Sequence, residues 1–212
     1  KGRDWHVEIG EKKYPVDRND FSFTRDGEKI LFDFAYITIH GVPGENGLLQ
    51  GYLDMMGVPY GCCNVLASAL TFDKHTCNTY LKSYGVNVAD SVMLIRGMTY
   101  DVNEIINEVG LPCFVKPNAE GSSFGVTKVK EAAQLEDALK KAFALCREVL
   151  IETFIDGTEL TCGVVKAGDM DIAMPIAEVI PKNEFFDFEA KYDPTKSDEI
   201  IPARISPELT NR

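Results

Sequence analysis

The sequence has little positive charge, few histidines and no long apolar run. It carries 22 lysine and arginine residues against 33 aspartate and glutamate residues, which gives a formal net charge of −11. Nucleic acids and anionic membrane surfaces bind clustered lysine and arginine, so neither is expected as a partner. No stretch of about 18 apolar residues is present, so the sequence predicts no membrane-spanning helix.

The cysteines and histidines do not form a metal-binding pattern. There are six cysteines and three histidines, and no two cysteines have the spacing of a CxxC pair. A zinc site of the usual Cys/His type is therefore not predicted. Most of the cysteines lie in apolar runs, where a reduced cysteine behaves as a small hydrophobic residue. A reducing, cytoplasmic location is expected.

Predicted strands and helices alternate along the chain, which is typical of an α/β fold. Hydrophobic periodicity predicts helices at 64–84, 101–109 and 131–145. It predicts strands at 88–95, 112–116, 125–129, 148–155, 159–165 and 171–180. The second half of the chain is richer in strands, which is closer to an α+β arrangement.

Two further segments carry specific expectations. The run "ILFDFAYITI" at 30–39 is almost continuously apolar and rich in β-branched and aromatic residues. Such a run predicts a strand that is buried on both faces of a parallel sheet. Residues 181–202 form a long polar segment that contains aromatic residues. This segment is too long for a turn and is a candidate active-site lid.

The stretch "VKPNAEGSSFGV" at 115–126 points to a polyphosphate. Lys116 lies in an apolar strand, where an unpaired ammonium group is costly and a bound phosphate would offset that cost. The loop at 121–125 contains small residues, and its glycines permit the left-handed turns that form an anion nest. The loop matches neither the Walker pattern nor the dinucleotide-binding pattern. The alternative is an edge-strand lysine that faces solvent.

Four more polar residues are candidates for ligand contacts. Lys74 falls in the apolar stripe of a predicted helix, which leaves three alternatives. Its side chain extends along the surface to solvent, the helix breaks near Asp73, or the lysine points into a cleft. Glu152 lies inside an apolar strand and needs a donor, either the exocyclic amine of adenine or a lysine. Glu159 could accept hydrogen bonds from ribose hydroxyls. His40 follows a predicted strand at a glycine-rich loop, where it either contacts a ligand or caps the strand.

Several segments together resemble the D-alanine–D-alanine ligases, members of the ATP-grasp superfamily. They are "HGVPGENGLLQGYLDMMGVPY", "VLASALTFDK", "GLPCFVKPNAEGSSFGVTKV", "VLIETFIDGTELT", "FFDFEAKY" and "IPARI", which occur in family order over most of residues 30–205. The resemblance implies the remnant of an N-terminal parallel α/β domain followed by an ATP-grasp α+β domain. It implies a substrate domain at 1–64, a central ATP-grasp subdomain at 65–155, and the start of a C-terminal subdomain, with the lid, at 156–212.

The resemblance implies an ATP-dependent enzyme of peptidoglycan precursor synthesis. It would join two D-alanines through a D-alanyl phosphate intermediate, in the cytoplasm and as a homodimer. ATP and Mg²⁺ are the implied cofactors, with the magnesium ligands on a C-terminal segment outside this chain. The family's N-terminal glycine-rich loop also has no counterpart here, so the chain is expected to be the central part of the enzyme and inactive alone. The alternatives are a D-Ala–D-Ser or D-Ala–D-Lac ligase, and a non-catalytic nucleotide-binding module.

The family motifs also imply roles for individual residues. His40 corresponds to a histidine near the first D-alanine, Ser122 and Tyr192 to a pair that orders the lid, and Lys191 to a lysine near the γ-phosphate. The residues implied in nucleotide binding are Lys74, Lys116, Ser123, Glu152, Thr153, Phe154, Ile155 and Glu159. Backbone groups of Thr153 and Ile155 would read the edge of the adenine.

The chain departs from the family pattern at three places. "PYGCCN" at 59–64 replaces the usual "PYTGSG", which changes the local loop contacts. Phe186 and Phe188 replace two common tyrosines and so remove two hydroxyls near the lid. The sequence Glu45-Asn46-Gly47 replaces a more frequent "EDG", a variant that the family is expected to tolerate. The segment "EAKY" argues against the lactate-using type.

Overall fold

The chain divides into two compact units, Lys1–Tyr80 and Leu81–Arg212. The fold is that of a computed structural model, which describes residues 4–182, 184–185, 188–193 and 195–210, and the side chains of 188 and 189 are outside this description. The domain boundaries predicted after residues 64 and 155 concern the subdomains of the family and stay predictions. The boundary between the two compact units, after Tyr80, falls inside the helix Lys74–Ser83.

The first unit contains an antiparallel sheet in which the strands follow one another in chain order. Its strands are β1 (His6–Ile9), β2 (Lys12–Asp17), β3 (Ser22–Arg25) and β4 (Glu28–Leu31). Asp26 and Gly27 connect β3 to β4 with φ values of 52° and 84°. Positive φ at both central residues is typical of the tight turn that an Asp-Gly pair favours in a hairpin.

The strand predicted at 30–39 is wrong in its extent and in its burial. Leu31 ends β4, and only the two residues of β5 (Ala35–Tyr36) pair in parallel, with β6 (Tyr60–Gly61). Phe34 is 56% exposed and Tyr36 is 78% exposed. The Asp-Gly hairpin pairs the start of the run with β3, so the run is divided between two sheets. Local turn chemistry therefore outweighed the apolar pattern.

Aromatic side chains hold the first unit together. The ring of Trp5 packs edge-on against Tyr52 with centroids 5.3 Å apart, and Phe21 packs on Phe32 at 4.9 Å. The hydroxyl of Tyr52 donates to the backbone carbonyl of Arg18 at 2.8 Å. Such aromatic pairs contribute beyond the area that they bury.

Three helices follow the first sheet. They are α1 (Leu48–Met56), α2 (Val65–Phe72) and α3 (Lys74–Ser83). Asn64 caps α2 by accepting from the backbone N–H of Ala67, and Asp73 accepts from the backbone N–H of Thr76 at 2.8 Å. The helix predicted at 64–84 is thus interrupted at Asp73, one of the three alternatives for this segment. Lys74 consequently occupies the first residue of α3.

The second unit is built on a four-stranded antiparallel sheet with two helices against it. Its strands are β7 (Ser91–Ile95), β8 (Cys113–Pro117), β9 (Thr127–Val129) and β10 (Glu148–Thr153), in the order β7-β10-β8-β9. The helices are α4 (Val102–Val109) and α5 (Leu135–Leu145), and α5 is preceded by a 3₁₀ turn at Ala132–Gln134. Leu135, Leu139 and Ala142 of α5 are buried, in agreement with the hydrophobic periodicity that predicts this helix.

The remaining elements lie in the last third of the chain. Strands β11 (Glu159–Thr161), β14 (Ala177–Pro181) and β15 (Ser197–Ile200) form one sheet, and β12 (Val164–Ala167) and β13 (Met170–Ala173) form a separate hairpin. Two short helices, α6 (Phe188–Tyr192) and α7 (Pro207–Thr210), complete the description. The predicted lid at 181–202 therefore contains α6 and β15. In the described parts of the chain, no helix is both long and apolar enough to cross a membrane.

Candidate functional site

The four-stranded sheet has one apolar face and one face that carries charge. Successive residues of a strand point to opposite faces, so Cys113 and Val115 of β8 lie in the core under α4 and α5. The register pairs Lys116 with Leu150, Phe114 with Glu152, and Phe114 with Lys128. Directly opposed residues share a face. We call this surface the Lys116 face, defined by Phe114, Lys116, Lys128, Leu150 and Glu152.

Lys116 and Glu152 form an ion pair on this face. The ammonium of Lys116 donates to Oε2 of Glu152, and the two side chains are 20% and 12% exposed. Since β8 lies between β10 and β9, the edge-strand alternative for Lys116 is wrong. Of the two donors considered for Glu152, the lysine is the one that the structure provides. Each charge compensates the other where water is largely excluded.

An aromatic cavity shares Phe114 with the Lys116 face. Its volume is about 610 Å³, which is within the range of pockets for small molecules. The ring of Phe114 packs against Phe154 with centroids 5.8 Å apart and edge-on against Phe185 at 5.1 Å. All three rings line this cavity, together with the polar residues Glu159, Glu178, Glu184 and Arg204. Aromatic walls with polar groups at the rim suit a planar, largely apolar group that carries hydrogen-bonding edges.

Glu184 ties the start of the predicted lid to β9. Its Oε1 lies 2.6 Å from Nζ of Lys130 and 3.4 Å from Nζ of Lys128. The Lys128 ammonium also lies 3.8 Å from the centroid of the Phe154 ring, in cation–π geometry. The hydrogen bond from Lys130 lowers the pKa of the Glu184 carboxyl. The next residue along the chain, Phe185, is thereby positioned at the cavity wall.

Two carboxylates of the cavity have shifted pKa values in opposite directions. Glu159 is exposed as a residue, yet desolvation of its carboxyl group raises its pKa, while the positive charge of Lys191 acts against that change. Glu178 accepts from Nε, Nη2 and the backbone N–H of Arg204 at 2.9, 2.7 and 3.1 Å. These hydrogen bonds lower the pKa of Glu178 to about 2. Glu178 is therefore a fixed negative charge at neutral pH.

The loop between β8 and β9 touches the short helix α6. Oγ of Ser122 and the hydroxyl of Tyr192 are hydrogen-bonded at 2.6 Å. Ser122 and Ser123 have φ values of 57° and 56°, in the left-handed region that few residues other than glycine adopt. Gly125 has a φ of 76°, which favours glycine, and a Cβ atom there would crowd Cδ1 of Leu145 at 2.4 Å and Cγ of Pro117 at 3.1 Å. The hydrogen bond between Ser122 and Tyr192 thus connects the loop to the predicted lid.

A second cavity lies in the first unit, around His40. Its volume is about 450 Å³, and we call it the His40 cavity. Glu45 Oε2 accepts from the backbone N–H of Gly41 at 2.5 Å, and Glu45 Oε1 lies 3.6 Å from Nδ1 of His40. Gln50, which is 1% exposed, donates from Nε2 to the carbonyl of Gly44 at 2.6 Å. The side chains of Glu45 and Gln50 therefore hold the backbone of the loop at 41–47 in place.

The structure distributes the predicted site residues over both units. His40 and Lys74 are in the first unit, and the others are in the second. The structure brings together Lys116 with Glu152 and Ser122 with Tyr192, and their proposed roles stay predictions. Thr153 donates from its N–H to Asp90 and from Oγ1 to Val109, so both of its donors are engaged within the protein.

Some relevant residues were missed in the sequence or lie outside the description. Five residues of the site were not predicted from the sequence: Phe114, Lys128, Glu184, Phe185 and Arg204. Strand alternation from Lys116 could have indicated Phe114, whereas nothing local indicates the others. Phe186 lies outside the described residues, as does the side chain of Phe188. Among the residues that the structure does describe, no group of three or more His, Cys, Asp or Glu side chains could hold a metal ion.

Comparison with known proteins identifies relatives over the whole chain. The family model "D-ala D-ala ligase C-terminus" matches residues 80–212. A D-alanine–D-alanine ligase of Bacteroides fragilis (strain YCH46) is 55% identical over 213 residues, which covers 100% of this chain and 65% of that protein. A D-alanine–D-alanine ligase of Porphyromonas gingivalis (strain W83) is 53% identical over 208 residues, 97% of this chain and 63% of that protein. The chain thus spans somewhat less than two thirds of these relatives.

Solved structures agree with the fold. The VanG D-Ala:D-Ser ligase from Enterococcus faecalis has a TM-score of 0.77 at 33% identity, covering 96% of this chain and 60% of that chain. The D-alanine–D-alanine ligase from Bacillus anthracis complexed with ATP has a TM-score of 0.70 at 30% identity, covering 85% and 56%. The D-alanyl-alanine synthetase A of Vibrio cholerae is 24% identical with a TM-score of 0.80, covers 98% and 66%, and supports the fold alone. The mixed helix and strand architecture predicted from the sequence is confirmed.

Proposed function

Because this chain belongs to the D-alanine–D-alanine ligase family, we propose that the whole protein joins two D-alanines in an ATP-dependent reaction. The observation that carries this proposal is the Lys116 face, which holds a largely buried ion pair and contributes Phe114 to the wall of an aromatic cavity. A structural ion pair alone would not need the adjoining cavity of about 610 Å³. The product would be a precursor of peptidoglycan.

The aromatic cavity and its rim fit a nucleotide. The adenine would lie among the rings of Phe114, Phe154 and Phe185, whose π-faces suit a planar base. Glu159 stands at the rim, where a carboxylate can accept from ribose hydroxyls. Lys116, on the same sheet face as Phe114, would reach the phosphates, which would replace Glu152 as its counter-charge. Lys74, Ser123 and the backbone at 153–155 are proposed as further nucleotide contacts.

The chemistry requires an activated carboxylate. A carboxylate is a poor electrophile, so transfer of the terminal phosphoryl group of ATP to the first D-alanine would give an acyl phosphate. The amine of the second D-alanine would attack the acyl carbon, and phosphate would leave. Lys116 and Lys191 would stabilise the charge that shifts between the oxygens during transfer. His40 is proposed to contact the first D-alanine.

The hydrogen bond between Ser122 and Tyr192 is proposed to order the lid. Water would hydrolyse an acyl phosphate, so a closed loop protects it until the amine attacks. The hydrogen bond between the two hydroxyls connects Tyr192 to the loop at 121–125, and ion pairs connect Glu184 to Lys128 of β9 and to Lys130. We therefore treat Ser122, Tyr192 and Glu184 as positioning residues.

Magnesium, oligomeric state and location are part of the same proposal. Mg²⁺ would neutralise phosphate charge, and we propose that its ligands lie on the C-terminal part of the whole protein, outside this chain. We further propose that the whole protein is a cytoplasmic homodimer. Neither a nucleic acid nor a membrane is proposed as a partner, because the net charge of −11 opposes both.

D-serine is the second candidate for the attacking amine. The observation in its favour is the TM-score of 0.77 with a structure described as a D-Ala:D-Ser ligase. The high identity to D-alanine–D-alanine ligases favours D-alanine. Product analysis with D-alanine, D-serine and D-lactate as competing second substrates would separate the three types. A nucleotide-binding module without catalysis would bind ATP and form none of the products.

The decisive test is phosphate release from ATP and Mg²⁺ by the full-length protein. It should depend on D-alanine and should fall at least about tenfold in Lys116→Ala, because a charged hydrogen bond to phosphate is lost. Lys141→Ala, which removes an exposed lysine of α5, is the matched control and should retain activity. Release that is indifferent to D-alanine would refute the substrate assignment and leave only a nucleotide site.

A further inference from the structure

Two adjacent cysteines line the His40 cavity. Cys62 and Cys63 are both exposed, and both belong to the wall that also contains His40, Glu45 and Gln50. They belong to the segment "PYGCCN", in which the chain departs from the pattern of the ligases that it resembles. The cavity therefore carries a reactive group that the proposed ligation reaction does not use.

Backbone and side-chain contacts hold the two cysteines in place. Sγ of Cys62 accepts from Nε2 of Gln50 at 3.3 Å and donates to the carbonyl of Cys63 at 3.3 Å. The carbonyl of Cys63 also accepts from Oγ of Ser68 at 3.2 Å. Asn64 then caps α2, so the pair leads directly into a helix. The thiol of Cys62 is consequently fixed at the cavity wall rather than on a free loop.

Gln50 supplies an independent indication that the cavity takes a ligand. Its side chain is buried, and its Oε1 has no hydrogen-bond partner among the described residues. A buried carbonyl oxygen that lacks a donor is unfavourable, and such groups are rare in folded proteins. The same amide group contacts the Cys62 sulfur through Nε2. Gln50 lines the His40 cavity, so an occupant that carries N–H groups would satisfy this buried oxygen once the amide turns towards it.

We propose that Cys62 is a modification site for small peptide disulfides, with oxidised glutathione as the representative reagent. The attached peptide would fill the His40 cavity and offer its N–H groups to Gln50. The consequence for catalysis rests on the proposed function, because the His40 cavity is where the first D-alanine is expected. The modification would therefore switch ligation off reversibly under oxidising conditions.

The reaction balances as a thiol–disulfide exchange. The thiolate of Cys62 attacks one sulfur of the reagent, a new sulfur–sulfur bond forms, and the reagent's own bond breaks. One equivalent of reduced peptide thiol leaves and takes up the proton that Cys62 gave up. A reduced thiol in excess reverses the exchange. Neither a metal nor any other oxidant is needed.

Cys113 and Cys162 are poorer candidates for this reaction. Cys113 is buried, and desolvation raises the pKa of its thiol, which opposes formation of the attacking thiolate. Cys162 is exposed but belongs to the second unit and does not line the His40 cavity. A disulfide between Cys62 and Cys63 is disfavoured, because neighbouring Cα atoms lie about 3.8 Å apart and disulfides usually need about 4.4–6.8 Å. The mixed disulfide is thus the expected product.

The test uses the full-length protein, fully reduced and then treated with oxidised glutathione. We expect tandem mass spectrometry to map one glutathione to Cys62, and Cys62→Ser to abolish that adduct. Cys162→Ser, which removes an exposed thiol outside the cavity, should still form it. Ligation should fall in proportion to the fraction modified and return after dithiothreitol. Cys62→Ser should keep its activity under the same treatment.

The outcomes separate this proposal from the proposed function. Modification confined to Cys162, or full modification of Cys62 with unchanged ligation, would overturn the proposal. If the untreated protein does not ligate D-alanine, the proposed function fails. The modification site is then still judged by the mass mapping, which needs no activity.

Discussion

The ion pair between Lys116 and Glu152 gives a quantitative prediction, because it should contribute both to stability and to nucleotide binding. Both side chains are mostly buried, at 20% and 12% exposure, so their interaction is only weakly screened by water. A hydrogen bond between charged partners contributes about 1.5–3 kcal/mol. We therefore expect Lys116→Met to lower the free energy of unfolding by about 2 kcal/mol.

A double-mutant cycle isolates the pair. Glu152→Gln should cost a similar amount, and the double variant should cost less than the sum by about 1–2 kcal/mol. The assay is urea unfolding of the full-length protein followed by circular dichroism. Lys141→Met, which replaces an exposed lysine in α5, should stay within about 0.5 kcal/mol of the parent. If the two single changes add within about 0.5 kcal/mol, the pair has no coupling and the reasoning is refuted.

The same variants distinguish stability from ligand binding. The double variant should recover part of its stability, because it no longer buries an unbalanced charge. It should not recover ATP affinity, because the phosphates need the ammonium group itself. Loss of a charged hydrogen bond corresponds to a dissociation constant that is about 10- to 150-fold higher, and we expect the lower end because binding no longer breaks the pair with Glu152. Calorimetric titration with ATP would measure this, and unchanged affinity in Lys116→Met would remove the lysine from the nucleotide site.

Three further predictions concern the lid and the rim of the cavity. Tyr192→Phe removes the hydrogen bond to Ser122 and should lower kcat about 2- to 10-fold, as measured by phosphate release. Glu184→Gln weakens two ion pairs and should raise KM for ATP a few-fold, with a smaller effect at high salt because exposed charges are screened. The Glu178 carboxyl, with its pKa lowered to about 2 from 4.5 by Arg204, should contribute stability that is fully present above pH 4.5 and is lost as the pH falls towards 2. Arg204→Met should flatten this dependence in thermal unfolding scans.

Matched variants serve as controls for these three predictions. Tyr100→Phe and Glu136→Gln alter exposed residues of the same types and should leave kcat and KM unchanged. Arg204→Lys keeps a positive charge and should preserve part of the pH dependence. Tyr192→Phe with parental kcat would show that the hydroxyl pair does not order the lid. An undiminished KM effect of Glu184→Gln at high salt would point to packing rather than charge.

Local patterns predicted the elements whose determinants are local. The helix α5 has a regular apolar face, and Asp101 accepts from the backbone N–H groups of Asn103 and Glu104 at the start of α4, so both helices could be predicted. The run at 30–39 was mispredicted because the Asp26-Gly27 turn, which pairs β4 with β3, was not weighed against the apolar pattern. The long apolar run predicts a single strand, but in the structure the Asp-Gly turn determines where the first strand of that run ends.

Only the charged residues inside apolar strands could be predicted as parts of the site. Lys116 and Glu152 each stood out as a charged residue inside an apolar strand, and the cost of burial implied a partner. That they pair with each other depends on the register of β8 and β10, which brings together residues 36 positions apart. Phe185 and Arg204 join the cavity through segments with no periodic pattern. Their contribution needed the tertiary structure.

The ion pair also means that Lys116 is already bonded before any nucleotide arrives. Binding of a polyphosphate is then an exchange of one anionic partner for another, not the addition of a contact to a free cation. Glu152 acts as a built-in competitor, and the net affinity is the difference between two interactions of similar kind. Such an arrangement limits how tightly the nucleotide can be held, and it gives the lysine a partner to return to when the spent nucleotide leaves.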